Sequence, residues 1–359
     1  MDAEVRATHR PFRRKRQTVP SRSSDQAFLP PYDAQMKALV YRAYGTPDVL
    51  HIEEIPTPAP GGGEVLVRVH ASSVNDFDFH LLTGHPAINR IGGLRHPKYL
   101  VLGSDVAGVV EAVGSGVTRF RAGDRVFGDM SPFGFGAFAE FVCAPQAAFA
   151  PMPTNLTFVQ AAAVPQAGSL ALAGLRQRVP ITPEHDILIN GAGGGVGTFA
   201  VQMAKHFGAT VTGVDAARKL ATVSAAGADH VIDYREQDFA IAGKQYDLIV
   251  DVASRRSLAA YRRCLKPGGV CSIIGGSIPR IAMLMALSTV LSAGHDSHIS
   301  VPKWKPNDPA ETAALTTMLE NGTVTPVIDS VVPFDGIPDA FGRFAAQEHT
   351  GKIAISIDA

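Results

Sequence analysis

Two hydrophobic periods divide the chain. From Met36 to about Pro153 the pattern is all-β, with segments in which apolar and polar residues alternate. Met36-Lys-Ala-Leu-Val-Tyr41, Glu64-Val-Leu-Val-Arg-Val-His70 and Val109-Val-Glu-Ala-Val113 alternate as strands with one buried face do. Tight turns at Pro60-Gly-Gly-Gly63 and Ala122-Gly-Asp124 punctuate them, so a barrel-like all-β domain is expected there. Beyond Asp186 the pattern changes to short apolar runs alternating with helical spacing. Asp186 to Asn190 reads as a strand, and Ala200, Met203, Ala204 and Phe207 fall on one helical face that Gly208 would cap. Residues 210–215, 230–233, 246–251 and 270–274 read as further strands. Helices are expected at 217–226 and 257–266, the second stopped by Pro267-Gly-Gly269. Repeated units of this kind build a parallel, doubly wound α/β sheet.

The junction between the first of these strands and its helix carries the candidate chemistry. Gly191, Gly193, Gly194, Gly195, Val196 and Gly197 follow the apolar run at once, with G-x-x-G-x-x-G spacing through Gly191, Gly194 and Gly197. Glycines let backbone approach a pyrophosphate, and a helix N-terminus offers it free N–H groups and a positive dipole end. Asp215 ends the next strand roughly 20 residues on, where a ribose-binding carboxylate is expected. Gly275 and Gly276 end the 270–274 strand and join the candidate cofactor-binding set. The expectation is a Rossmann nicotinamide-binding domain.

At 359 residues, two domains are the default. With 33 basic and 33 acidic residues, no global charge draws the chain to nucleic acid or membrane. Cys143, Cys264 and Cys271 stand singly, as in a reducing, cytoplasmic setting rather than a disulfide framework. The apolar run Ile281-Ala-Met-Leu-Met-Ala-Leu-Ser-Thr-Val-Leu291 is too short to span a bilayer and reads as a buried or subunit-interface helix. Residues 1–35, with Arg13-Arg-Lys-Arg16 and little apolar periodicity, are expected to be a disordered extension.

Ordered motifs in the remainder carry a resemblance. Tyr44-Gly-x-Pro-x-Val-Leu50, Val74-Asn-x-x-Asp78, Gly103-x-Asp-x-Ala-Gly108, Val113-Gly-x-Gly-Val117, Gly123-Asp-Arg-Val126, Gly136-Ala-Phe-Ala-Glu140, Ala161-Ala-Ala-Val-Pro165, Lys305-Pro-Asn307, Pro326-Val-Ile-Asp329 and Gly351-Lys-Ile353 are similar to the medium-chain dehydrogenase/reductase superfamily. Within it, the chain most resembles the zinc-independent quinone oxidoreductase and reticulon-4-interacting-protein-like branch. The resemblance implies a Rossmann domain at 159–323 inserted into a GroES-like β-barrel catalytic domain made from 36–158 and 324–359. Zinc members keep a cysteine and a Gly-His-Glu in the barrel domain. Here those places hold Asn75-Asp76 and Gly103-Ser104-Asp105, and the four-cysteine structural lobe is absent, so no zinc is expected.

The resemblance implies an NAD(P)H-dependent reductase of quinones or of the activated C=C of enones, in which an enolate oxygen would need donors. Asn75 is the candidate catalytic residue, its amide donating to substrate or to the nicotinamide ribose; an Asn holding a turn is the other reading. Asp78 is expected to order its loop and Asp105 to be an architectural or salt-bridging acid. Asp215 argues for NAD(H). Arg218, Lys219 and Tyr234 oppose it, Lys219 and Tyr234 falling where the resemblance puts phosphate contacts. NADP(H) is favoured, with NAD(H) and dual use open. Leu170 stands in place of the family's threonine in Gly168-Ser-Leu-Ala171, with Ser169 a substitute only if the register shifts. The alternative function is a catalytically weak NAD(P)-binding protein with a structural or regulatory role. A homodimer is expected, formed through the last Rossmann strands and the 281–291 segment.

Overall fold

The computed structural model describes residues 34–357 except 91–92, 178–179, 293 and 295. The expected extension lies, but for its last two residues, outside the described residues. β1 (Gln35–Val40) and β2 (His51–Pro56) form an antiparallel pair at the start. Then come β3 (Glu64–Ser73), α1 (Asp76–Thr83), β4 (Asp105–Val113), β5 (Arg125–Asp129), β6 (Phe141–Pro145) and β7 (Phe149–Pro151). β3 pairs β4 on one side and β6 and β15 (Lys352–Ser356) on the other, so the chain's last strand completes the first domain's sheet. β14 (Ile328–Pro333) extends that sheet beyond β15, and α9 (Ile337–Ala345) buries Ile337, Ala340 and Phe341 in its core.

α2 (Phe158–Ala162) begins with a capping box, Thr157 with Gln160, and packs on β3 and β4. The chain then runs through α3 (Pro165–Leu175) into a second sheet. There β8 (Asp186–Asn190), α4 (Gly195–His206), β9 (Thr210–Asp215), α5 (Ala217–Ala225), β10 (His230–Asp233), β11 (Tyr246–Asp251), α6 (Leu258–Arg263), β12 (Leu265–Ile273), α7 (Ile278–Ser292), β13 (His298–Ser300) and α8 (Pro309–Glu320) follow. Among the described residues the parallel sheet runs β10-β9-β8-β11-β12-β13. Counted from β8, that is order 3-2-1-4-5-6, with its switch point between β8 and β11. Ile187, Leu188 and Ile189 are all fully buried because helices cover both faces of this central strand.

Two elements differ from expectation. The helix expected to reach Lys266 stops at Arg263, and Leu265 already pairs with Tyr246. Pro267 has no N–H and Gly268 takes φ +74°, so the chain loops out of register and rejoins β11 at Val270. The Lys266 ammonium meanwhile bridges Asp186 and Asp247 at 2.9 and 2.8 Å. β13 arises in a stretch where the local pattern shows no strand, stabilised by pairing with β12.

Candidate active site

The glycine loop is built by steric necessity. Gly191 takes φ +85°, and a β-carbon on Gly197 would meet the Gly191 carbonyl oxygen at 2.1 Å. Gly194 caps α4 without a side chain, so the N–H groups of Gly195, Val196 and Gly197 open the helix with no intrahelical acceptor. Beyond the ends of β11 and β12, Gly275 passes so close to Val252 that a β-carbon would lie 2.0 Å from its carbonyl oxygen. Gly276 follows at φ +129° beside Ser254. A cradle that side chains would fill, with helix N–H groups that have no intrahelical acceptor at its mouth, fits a dinucleotide pyrophosphate.

At the end of β9 the Asp215 carboxylate accepts from the Gly193 and Ala216 N–H groups, both at 2.8 Å. Both its oxygens are thus engaged by the loop itself. Lys219 lies 6% exposed beside it, its side chain against Gly193, and burial pulls its ammonium below the usual lysine range. Arg218 is exposed and donates to the Gln347 carbonyl. Tyr234, 44% exposed, stands at the end of β10, its N–H on the Asp215 carbonyl at 3.2 Å. The acid and the two cations of the cofactor contest thus share one rim.

The loop is also tied to the first domain. The Gly351 N–H donates to the Gly193 carbonyl at 2.8 Å, and the Lys352 stem lies where a β-carbon on Gly195 would be. Beyond that stem, the Lys352 ammonium donates to the Asn75 amide oxygen, to the Val74 carbonyl at 3.1 Å and to Asp105 at 3.3 Å. Asp105 is fully buried. It also accepts from Ser73 Oγ (2.7 Å), Asn75 Nδ2 (2.9 Å) and the Gln166 N–H (2.9 Å). Burying a carboxyl group costs free energy, and these hydrogen bonds offset it.

Asn75 therefore faces inward. Its amide nitrogen donates to Asp105 and to Ser104 Oγ at 3.2 Å, and its oxygen receives Lys352. The outward donation expected from the sequence is not what this geometry shows: both hydrogens already have buried acceptors. Asp78 orders its loop, accepting from the Gly103 N–H and Ser104 Oγ, and burial pushes its carboxyl up to about 7. Ser169 cannot substitute for the missing threonine. α3 runs without a register shift, and the Ser169 hydroxyl bonds the Pro165 carbonyl and accepts from Trp304 Nε1 at 2.9 Å. Lys352 is visible in the sequence only as part of a motif; its cue is a lysine at the head of the apolar last strand.

The places where zinc members keep a cysteine and a histidine–glutamate pair thus surround an ammonium group. Among the described residues no three His, Cys, Asp or Glu side chains gather as metal ligands would. The donor set, one amide, one hydroxyl and one carboxylate already paired to Lys352, does not suit a zinc ion.

Comparison with known proteins agrees with this architecture. Residues 61–154 match the alcohol dehydrogenase GroES-like domain family, and 226–355 the zinc-binding dehydrogenase family. The chain is 32% identical over 333 residues to 2-methylene-furan-3-one reductase of Solanum lycopersicum, covering 90% of this chain and 79% of that one. It is 31% identical to the NADPH-dependent alkenal/one oxidoreductase of Arabidopsis thaliana, over 89% of this chain and 79% of the relative. The solved quinone oxidoreductase of Coxiella burnetii superposes with a TM-score of 0.80 at 26% identity, over 90% of this chain and all of that one.

Proposed function

The chain belongs to the quinone-oxidoreductase branch of the medium-chain dehydrogenase/reductase superfamily, and we propose that it reduces quinones or α,β-unsaturated carbonyls with NADPH and without zinc. The observation that carries this reading is the lock between the Gly191–Gly197 loop and the Gly351–Lys352 pair. One strand end touches the cofactor cradle and the buried polar cluster together. The nicotinamide, when bound, supplies the hydride for a β-carbon or quinone ring.

This chain's own residues do the rest. The α4 N–H groups and the glycine backbone seat the pyrophosphate. Lys219 and Arg218 favour a 2′-phosphate, because Asp215 is already committed to loop N–H groups. Asn75 acts by position: held by Lys352 and Asp105, it fixes the end of β3 against α1. Conjugate reduction asks for less Lewis acid than reduction of a simple ketone, consistent with an ammonium where zinc members of the superfamily keep a metal. We place the protein in the cytoplasm as a homodimer. Support for the dimer is the outer strand β13 beside α7, whose Met283, Met285 and Leu287 are 44%, 65% and 43% exposed. Among the described residues no helix is long and apolar enough to cross a membrane.

The test is absorbance-monitored oxidation of NADPH and NADH with a panel of quinones and enones, a no-acceptor control, and zinc analysis of the purified protein. Acceptor-dependent NADPH turnover in zinc-free protein is expected. Stoichiometric zinc, or binding without turnover across the panel, would overturn the reading.

A further inference from the structure

His349 lies in the turn between α9 and β15, and its neighbours on both sides touch the cofactor rim. Two residues before it, the Gln347 carbonyl receives the Arg218 guanidinium. Two residues after it, the Gly351 N–H reaches Gly193. The residue is 9% exposed and its ring stacks on Phe344, with centroids 4.8 Å apart. Its Nδ1 is buried with no hydrogen-bond partner among the described residues. Stacking on Phe344 would be served as well by a hydrocarbon ring. A buried ring nitrogen left unpaired costs free energy, so its presence asks for a partner that arrives from outside.

The surrounding charge gives that partner its sign. Lys219 of α5, Lys352 of β15 and Arg343 of α9 all act on His349 as cations. Asp329 of β14 is the acid that opposes them, and it is engaged by Arg343, Ser330 Oγ and the Thr350 N–H. Asp215 is committed to the glycine loop, while Arg218 and Glu348 are exposed. Of these cations Lys352 is paired with Asp105 and Arg343 with Asp329, which leaves Lys219, beside Asp215 at the end of β9, where a dinucleotide places the 2′ position of its ribose.

We propose that His349, together with Lys219, binds the 2′-phosphate of NADPH, which makes the turn before β15 a determinant of cofactor choice. The inference rests on the NADP(H) reading above. Burial first, then the neighbouring cations, hold the imidazole down to about 4, so it is neutral in the free protein at pH 7. A phosphate dianion beside it reverses the Coulomb sign and favours the imidazolium. NADPH binding is then linked to uptake of a proton by His349, and NADH binding is not.

The experiment is calorimetric titration of the full chain with NADPH and with NADH at pH 6.5, in two buffers of different ionisation enthalpy, for wild type, H349Q and H349K. The phosphate's own second ionisation, at ~6, takes part in every titration, so the difference between wild type and H349Q reads the change in uptake that the histidine brings to the pair. Wild type is expected to take up more protons with NADPH than H349Q does. H349Q should bind NADPH about tenfold more weakly, one charge-assisted hydrogen bond being worth about that factor, with NADH affinity unchanged. H349K should keep NADPH affinity without the extra uptake, and it carries the test if H349Q fails to fold. Equal uptake and equal NADPH affinity in wild type and H349Q would overturn the inference and leave the NADP(H) reading standing. Equal weakening toward both nucleotides would reduce His349 to a packing residue. A wild type that prefers NADH would overturn the NADP(H) reading itself.

Discussion

The Lys352 ammonium donates to the Asn75 amide oxygen across 277 residues of chain, so the final strand is fastened to the N-cap of α1. The same ammonium pairs with Asp105, and the two side chains are 4% and 0% exposed. Removing one member of a buried pair strands the other charge, which costs about 3–5 kcal/mol, whereas removing both costs far less. K352M should therefore unfold in urea at a free energy lower by about that amount. D105N/K352M should regain more than half of the loss. A K352M loss below about 1 kcal/mol would place the pair among weakly coupled surface contacts.

Asp78 sets a second expectation, for pH. Burial keeps its carboxyl protonated in the fold up to about 7, whereas in the unfolded chain it ionises near ~3.9. The unfolded chain binds fewer protons between those values. The contribution is thus whole below ~4 and lost as pH rises to about 7. His349 runs the other way, its native value lowered to about 4, so that stability grows as pH rises from there toward ~6.5. Comparing D78N with wild type cancels the histidine. D78N should gain about 2–3 kcal/mol relative to wild type between pH 5 and pH 8, since each tenfold difference in proton affinity between fold and unfolded chain is worth about 1.36 kcal/mol. A difference independent of pH would show that Asp78 ionises normally.

The glycines of the cradle separate steric from ligand roles. A β-carbon on Gly197 would meet backbone atoms of Gly191 and Ala192 at 2.1 and 2.6 Å, which cannot give way. On Gly194 the nearest atom would be 3.6 Å distant, at an ordinary φ of −87°. G197A should lower the melting temperature by several degrees and abolish NADPH binding. G194A should melt within about 2 °C of wild type, a change of roughly 0.5 kcal/mol or less, yet bind NADPH more weakly, because its methyl meets the cofactor rather than the protein. Unchanged nucleotide affinity in G194A would move the pyrophosphate away from this loop.

Local periodicity explains which parts of the site are legible in the sequence. The β8 apolar run, the glycine loop and Asp215 lie within 30 residues, and each signal is a short-range one: burial on both faces, steric close approach, a strand end. Lys352 and Asn75 meet only through the sheet that joins the two chain ends, and a lone lysine in a strand otherwise reads as solvent-facing. The direction of the Asn75 amide follows from Asp105, which approaches across the β3–β4 pairing. His349 sits in a polar turn whose burial depends on α9 stacking Phe344 against it. The start of β12 is hidden because Pro-Gly-Gly stops a helix by local rules, and only pairing with β11 shows that the strand has already begun.

Asn307 joins the domains through both ends of one amide. Its nitrogen donates to the Asp129 carbonyl at 2.7 Å and its oxygen accepts the Asp129 N–H at 2.9 Å, spanning 178 residues from the segment before α8 to the end of β5. It holds φ +56°, a conformation that asparagine tolerates and most side chains do not. N307G keeps the backbone free to adopt that angle but removes both hydrogen bonds, and N307A adds the backbone strain. Two bonds at about 1 kcal/mol each make N307G about 2 kcal/mol less stable, and N307A should fall about 1 kcal/mol further. Because Asp129 is buried near Asp105, which helps push its carboxyl up, loosening this clamp also loosens the wall beside the Lys352 cluster. NADPH KM should therefore rise in N307G before kcat falls. Stability within 0.5 kcal/mol of wild type, roughly the scatter of surface substitutions, would mean that solvent replaces both bonds and that the two domains are held together elsewhere.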